Sequence, residues 1–195
     1  ATIQDGTLIA GTSFPEPRYL LELFKLKGMA IDRVMFRSGH RGGALRIDST
    51  MQSTITRSYF HEFASHGIYG SNDYANTSWP GHELIVDSCW FEEWNGATIQ
   101  RMPKGVYKPV GTAIEMQFPD SMFHNNVVSC GKVGFVIKGD SNLVQANHFW
   151  NACGGSEGVE PPGGNAPMVS VYMANWGTGR VYDCQFDRDC QLLVE

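Results

Sequence analysis

Apolar residues recur along the chain in one short pattern, in which two apolar positions flank four intervening residues. The pattern occurs seven times and forms a repeat. The seven units are Ile3 to Leu8, Ile31 to Phe36, Ile55 to Phe60, Val86 to Phe91, Phe123 to Val128, Val144 to Phe149, and Val181 to Phe186. Their spacing follows a base period in the low twenties that insertions lengthen. This spacing indicates a solenoid with loops on selected corners.

Second apolar segments follow most of these units after a glycine-containing turn, and they alternate with a period of two. The alternation places Arg46, Glu115, Val136 and Tyr172 outward and their apolar neighbours inward. In the fourth unit the spacing to the next repeat favours a strand at 113–116, with 97–100 as the competing choice.

Short strands without a helix-length amphipathic run predict an all-β fold, a coil of parallel strands with about seven rungs. Here a rung is one turn of the coil. The repeat extends over 1–195, so we expect a single β-helix domain. Because the chain opens within a repeat and closes on another apolar strand, we also expect it to be a segment of a longer protein.

Three insertions are predicted at 71–82, 92–111 and 150–167, and they flank one strand sheet on either side. Long loops that border one face of a solenoid commonly form its binding site. The sequence therefore predicts a functional surface on that sheet.

Charge and hydropathy narrow the possible partners of this surface. The 195-residue chain has a net charge of -5, which argues against nucleic-acid binding, and no apolar run of about 18 residues that would insert into a membrane. The six histidines show no zinc-site spacing, so we expect no metal and no cofactor.

The five cysteines are odd in number and form no CxxC motif. Cys89 and Cys184 lie two residues before the closing apolar position, where other units carry Ser58 and Asn147. This shared position predicts buried structural thiols rather than a disulfide framework.

The repeated units, their period, and the Asn and Cys ladder at Cys89, Asn126, Asn147 and Cys184 resemble the right-handed, single-stranded parallel β-helix of the pectin-lyase-like superfamily. This superfamily includes pectate lyases, polygalacturonases and bacteriophage tailspikes. The resemblance implies that Asn126 and Asn147 stack in a turn between rungs, and that a polysaccharide lies along one sheet between flanking loops. The tailspike type implies a homotrimer at an extracellular or virion surface.

Catalytic residues cannot be transferred through this resemblance, because the motifs of the polygalacturonases and alginate epimerases are mostly missing. Carboxylates placed on or beside the predicted sheet supply candidates instead: Glu115, Asp73, Asp140 and Asp48. Rungs stack about 4.8 Å apart, so carboxylates on neighbouring or alternate rungs would bracket glycosidase geometries. We expect neighbouring carboxylates to raise the pKa of Glu115 and to suit it to general-acid work.

Aromatic and cationic residues on the same surface are candidates for substrate binding. Tyr69, Trp79 and Tyr172 could stack on sugar rings, while Arg46 and Lys138 could meet the charge of an acidic glycan. If the segment is an enzyme, these residues indicate a glycoside hydrolase or a polysaccharide lyase.

Three hypotheses follow for function. The first is polysaccharide recognition of the tailspike type, with or without depolymerisation of the glycan. The second is a structural stalk or adhesin segment without sugar chemistry, and the third is a stand-alone polysaccharide lyase or glycoside hydrolase.

Overall fold

A computed structural model describes residues 1–11, 18–39, 42–72, 80–92, 111–129, 133–150, 168–173, 179–187 and 190–194. Within these ranges the chain forms strands and no helix, so no described helix is long and apolar enough to cross a bilayer. The strands are, in chain order, β1 (Thr2–Ile9), β2 (Tyr19–Phe24), β3 (Ala30–Arg37), β4 (Gly43–Asp48), β5 (Met51–Thr56), β6 (Tyr59–His61), β7 (His66–Ser71), β8 (His82–Asp87), β9 (Trp90–Glu92), β10 (Thr112–Met116), β11 (Met122–His124), β12 (Val127–Ser129), β13 (Val133–Ile137), β14 (Leu143–Gln145), β15 (His148–Trp150), β16 (Met168–Met173), β17 (Arg180–Tyr182), β18 (Gln185–Asp187) and β19 (Cys190–Val194).

The strands stack in parallel into three faces of a β-helix, which confirms the predicted fold. Sheet 1 contains β5, β8, β11, β14 and β17, and sheet 2 contains β6, β9, β12, β15 and β18. In the first two rungs β1 and β3 each run through both of these sheets as one long strand. Sheet 3 contains β2, β4, β7, β10, β13, β16 and β19.

The strand register reproduces the repeat read from the sequence. The opening apolar residues pair rung upon rung, as do the closing ones, for example Ile55 with Val86 and Phe60 with Phe91. The predicted strand at 113–116 is confirmed as β10, whose Ile114 pairs with Ile68 and with Phe135. The apolar repeat therefore sets the register because its side chains form the interior.

The closing positions of the repeat predict one continuous inward column of Phe60, Phe91, Phe149 and Phe186, but the rings stack in two separate pairs. Phe60 lies 4.8 Å from Phe91, between ring centroids, and Phe149 lies 5.3 Å from Phe186. Between these pairs the column position is Val128, which is too small to continue the stack. Phe135 from sheet 3 fills the gap, with its centroid 6.4 Å from Phe91 and 5.0 Å from Phe149.

A buried polar ladder joins the rungs at the bend between sheets 1 and 2. The backbone N–H of Cys89 donates to Oδ1 of Asn126 at 2.9 Å, and the N–H of Asn126 donates to Oδ1 of Asn147 at 2.9 Å. The side-chain amide of Asn126 donates to the same Asn147 oxygen at 2.9 Å. The asparagine ladder implied by the resemblance is therefore confirmed.

In each of the seven units, the residue just before the ladder position has a backbone in the left-handed region. The residue before each ladder position has a φ between 48° and 55°, and these residues are Asp5, Arg33, Arg57, Ser88, Asn125, Ala146 and Asp183. Such a φ is uncommon outside glycine, and its recurrence in all seven described units shows that the bend keeps one backbone geometry along the coil.

The two described ladder cysteines are free thiols. Cys89 is buried, and burial raises the pKa of its thiol to about 12. Cys184 is half-buried in the last rung, and burial raises its pKa as well. The prediction of buried structural thiols is confirmed for Cys89 and holds in part for Cys184.

Candidate functional site

The outer face of sheet 3 carries a continuous column of large side chains. Consecutive strands place Arg46, Tyr69, Glu115, Val136 and Tyr172 opposite one another, as the period-two reading predicted. The predicted loops at 71–82, 92–111 and 150–167 lie mostly outside the described residues, so their place beside this sheet stays a prediction.

A local break in the alternation brings a second column onto this face. Gly67 and Ile68 are both buried, so His66 and Tyr69, three residues apart, both face outward. A Cβ on Gly67 would come within 2.6 Å of the Ala113 carbonyl oxygen. The two outward rings lie 4.9 Å apart.

Glu115 lies at the centre of the face between two cationic or hydrogen-donating groups. Its Oε2 is 3.2 Å from Nε2 of His66, and its Oε1 accepts a hydrogen bond from Nζ of Lys138 at 2.6 Å. The His66 hydrogen bond, followed by that of Lys138, outweighs burial and lowers the pKa of Glu115 to about 2. The expected rise in this pKa is therefore wrong, because Tyr69 and Val136, not carboxylates, flank Glu115 in its column.

Tyr19 of the first rung reaches across the second rung to join this cluster. Its hydroxyl lies 2.9 Å from Nδ1 of His66, and its ring stacks on Tyr69 with centroids 6.1 Å apart. The intervening position in the second rung is Gly43, where a Cβ would lie 2.1 Å from Cε1 of Tyr19. Glycine at 43 thus makes the space that the tyrosine ring occupies. Burial raises the pKa of the Tyr19 phenol well above its usual range.

Arg46 is held in place from both sides. Its guanidinium lies 5.8 Å from the ring centroids of Phe24 and Tyr69 and 3.5 Å from a carboxylate oxygen of Asp48. Asp48 itself is fully buried, and its two oxygens accept hydrogen bonds from Ser49 at 2.7 Å and Ser71 at 2.6 Å. In this arrangement Asp48 orients Arg46 and is not exposed to a bound glycan.

The remaining candidates fall in different places. Tyr172 is half-buried in the Glu115 column, one rung beyond Val136. Asp140 is exposed in the turn after β13, two residues beyond Lys138, and its carbonyl oxygen accepts the N–H of Asp120. Asp73 and Trp79 lie outside the described residues. Among the residues that are described, no group of three His, Cys, Asp or Glu could hold a metal ion.

Sequence reasoning missed Tyr19, His66 and Gln117. Gln117 lies next to Tyr69, and its side-chain amide nitrogen, Nε2, donates to the Tyr69 hydroxyl at 3.4 Å. The sequence contains a signal for His66. It lies three residues before the outward Tyr69, and the equivalent positions in the next two strands, Thr112 and Val133, pair with it in register. Tyr19 gives no comparable signal, because its contact with His66 depends on the empty space above Gly43.

Comparison with known proteins gives a distant similarity to a polygalacturonase. No family model and no solved structure matches the chain. The chain is 25% identical, over 166 residues, to the polygalacturonase QRT3 of Arabidopsis thaliana. The match covers 80% of this chain but 32% of the relative, so the chain spans about a third of that protein's length. The chain is thus a parallel β-helix with distant similarity to a polysaccharide-degrading enzyme.

Proposed function

We propose that the outer face of sheet 3 binds an acidic polysaccharide that contains uronate, and that the protein cleaves this polymer. The track of aromatic and cationic side chains over successive rungs carries the proposal. Tyr19, Arg46 and Tyr69 come from three strands of one sheet, and Lys138 directly follows a fourth strand, β13, and contacts Glu115 on the same face.

The chemistry of this track suits a sugar polymer with negative charge. Tyr19 and Tyr69 offer rings of the amphipathic kind that stack on sugars, and the Arg46 guanidinium packs against one of them. Rungs repeat at about 4.8 Å, so the track extends along the coil in the direction a glycan chain would follow. The relative's activity on polygalacturonate supports the same class of polymer.

Affinity measurements on two tyrosine variants test the proposal. One tyrosine lies on the proposed binding face and the other lies on a different sheet. Isothermal titration calorimetry with an oligogalacturonide should show binding, and a neutral dextran should show none. Tyr69→Ala should weaken the affinity about tenfold or more, which corresponds to about 1.4 kcal/mol. The matched control is Tyr182→Ala, because Tyr182 is 41% exposed but lies on sheet 1.

Equal losses of affinity in the two tyrosine variants would contradict the placement of the site on sheet 3. Equal affinity for the charged and neutral polymers would contradict the proposed role of the cations. An increase in reducing ends on incubation with polygalacturonate tests cleavage, and it should be absent with dextran.

A structural role among copies of the chain is the second candidate, and one observation favours it. Sheet 1 carries an apolar strip of Ile85, Met122 and Leu143 on its outer face, and Met122 is 37% exposed. Part of this strip lines a groove of about 470 Å³. The predicted homotrimer of tailspike type would bury such a strip. Analytical ultracentrifugation should then give three times the chain mass, and Met122→Glu should dissociate the assembly.

A further inference from the structure

Three side chains from three rungs form a hydrogen-bonded chain on the outer face of sheet 3. The hydroxyl of Tyr19 lies 2.9 Å from Nδ1 of His66, and Nε2 of His66 lies 3.2 Å from Oε2 of Glu115. The other oxygen of Glu115 accepts from Lys138 at 2.6 Å. Four groups therefore follow one another in a single line of contacts.

The ionised carboxylate sets the direction of these hydrogen bonds. A carboxylate only accepts, so Nε2 of His66 must carry the hydrogen that it donates to Glu115. In the neutral imidazole Nδ1 is then an acceptor, and the Tyr19 hydroxyl donates to it. The Tyr19 oxygen therefore has the imidazole of His66 as its proton acceptor, and the Ser65 side chain is a second hydrogen-bond partner.

Packing holds the three groups in place at the surface. The ring of Tyr19 fits above Gly43, and the rings of Tyr19, His66 and Tyr69 pack against one another. The side chains of His66 and Glu115 are 21% and 18% exposed, so they are partly shielded from water but open to a ligand on the face.

We propose that Tyr19, His66 and Glu115 form a proton relay in which the Tyr19 hydroxyl is the catalytic group, and that the reaction is β-elimination of a uronate polymer. This inference rests on the proposed function and specifies its chemistry. The Tyr19 hydroxyl, the His66 imidazole and the Glu115 carboxylate lie in line. In such an arrangement the carboxylate orients the imidazole and stabilises it once it is charged.

The elimination balances without water. The Tyr19 oxygen takes the proton from carbon 5 of a uronate residue while its own proton passes to Nδ1 of His66. The C–H electron pair forms a double bond between carbons 4 and 5, and the bond from carbon 4 to the glycosidic oxygen breaks. That oxygen leaves with the bonding pair and takes the proton back from Tyr19, which is reprotonated by His66. The products are one new reducing end and one unsaturated uronate end.

The protonation states of Glu115 and Tyr19 and the charge of Arg46 favour elimination over hydrolysis. Hydrolysis by paired carboxyl groups needs one that stays protonated, and the lowered pKa of Glu115 prevents it from supplying that proton. Burial raises the pKa of Tyr19, so the phenol stays protonated in the resting site and loses its proton only as it takes one from the substrate. Arg46, in contact with Tyr69, supplies positive charge for the uronate carboxylate.

The nature of the product separates the two reactions. Polygalacturonate incubated with the protein should give ultraviolet absorbance from unsaturated uronate in step with new reducing ends. Tyr19→Phe should lower kcat by about 10²–10⁴ while the calorimetric affinity stays within about twofold. Glu115→Gln should lower kcat with little change in KM, and free imidazole should restore part of the activity of His66→Ala.

Gly43→Ala provides a test that keeps Tyr19, His66 and Glu115 as residues but changes the position of Tyr19. The added methyl group displaces the Tyr19 ring, so kcat should fall as it does in Tyr19→Phe. The control is Gly11→Ala, because a Cβ on Gly11 meets no atom within 4 Å.

Several results would overturn the relay. Reducing ends without ultraviolet absorbance would show hydrolysis, which refutes the relay and leaves the proposed function intact. Unsaturated products from a fully active Tyr19→Phe variant would remove Tyr19 from the mechanism. Binding without cleavage of polygalacturonate would refute elimination, and the absence of both binding and cleavage would refute the proposed function itself.

Discussion

Replacing Asn147 by Ala should destabilise the protein by removing one step of the buried ladder. Asn147 is 1% exposed, and its side chain makes four hydrogen bonds to nitrogen and oxygen atoms and a longer one, 3.9 Å, to the Cys184 sulfur. Its Oδ1 accepts from the backbone and side-chain nitrogens of Asn126, both at 2.9 Å, and its Nδ2 donates to the carbonyls of Phe123 at 2.8 Å and Gln145 at 3.0 Å. Alanine leaves these partners unsatisfied in the interior.

The expected loss in the free energy of unfolding is about 2–4 kcal/mol, because each buried group left unsatisfied costs about 1–3 kcal/mol and some of the four partners can relax. Urea denaturation at neutral pH, with an unchanged m value, measures this loss. The control is Gln145→Ala, whose side chain faces outward from β14, and it should stay within about 0.5 kcal/mol of the wild type. A loss below about 1 kcal/mol for Asn147→Ala would refute the ladder as a source of stability.

Three further predictions follow from the interior and from Glu115. Phe91→Ala should cost about 3–5 kcal/mol in a denaturant titration, because Phe91 is fully buried and stacks on Phe60; a cost below about 1 kcal/mol would contradict the packing. Since folding lowers the pKa of Glu115 from 4.5 to about 2, its contribution to stability is present above pH 4.5 and is lost as the pH falls through that range. Glu115→Gln should therefore flatten the acid limb of a thermal-denaturation series, and an unchanged limb would contradict the ion pair. Iodoacetamide at neutral pH should leave Cys89 unmodified until the protein unfolds, as peptide mass spectrometry can show, and rapid labelling of the native protein would contradict its burial.

The register of the coil could be predicted because apolar burial repeats with the strand period. Ile55, Val86 and Phe123 come from different rungs and pair as the repeat requires, since each must face the same interior. The fold was therefore accessible from local patterns of six residues. The interruption of the phenylalanine stack was not, because Phe135 fills the gap at Val128 from a different sheet.

The site could be located from the sequence but not assembled from it. The outward positions of Arg46, Tyr69 and Glu115 follow from alternation, and the insertions pointed to the same sheet. The environment of Glu115 depends on contacts across rungs that no local pattern specifies. Lys138 reaches back from the next rung, and His66 faces outward because Gly67 breaks the alternation. For this reason the sequence predicts a raised pKa for Glu115, whereas the structure lowers it.

A crystal structure of the protein with an oligogalacturonide tests the central claim most directly. The account predicts a sugar chain along the outer face of sheet 3, with a ring against Tyr69 and a uronate carboxylate beside Arg46. It also predicts a carbon-5 position within reach of the Tyr19 hydroxyl. A sugar chain bound along sheet 1 or sheet 2, with the Tyr19, His66 and Glu115 cluster unoccupied, would contradict it.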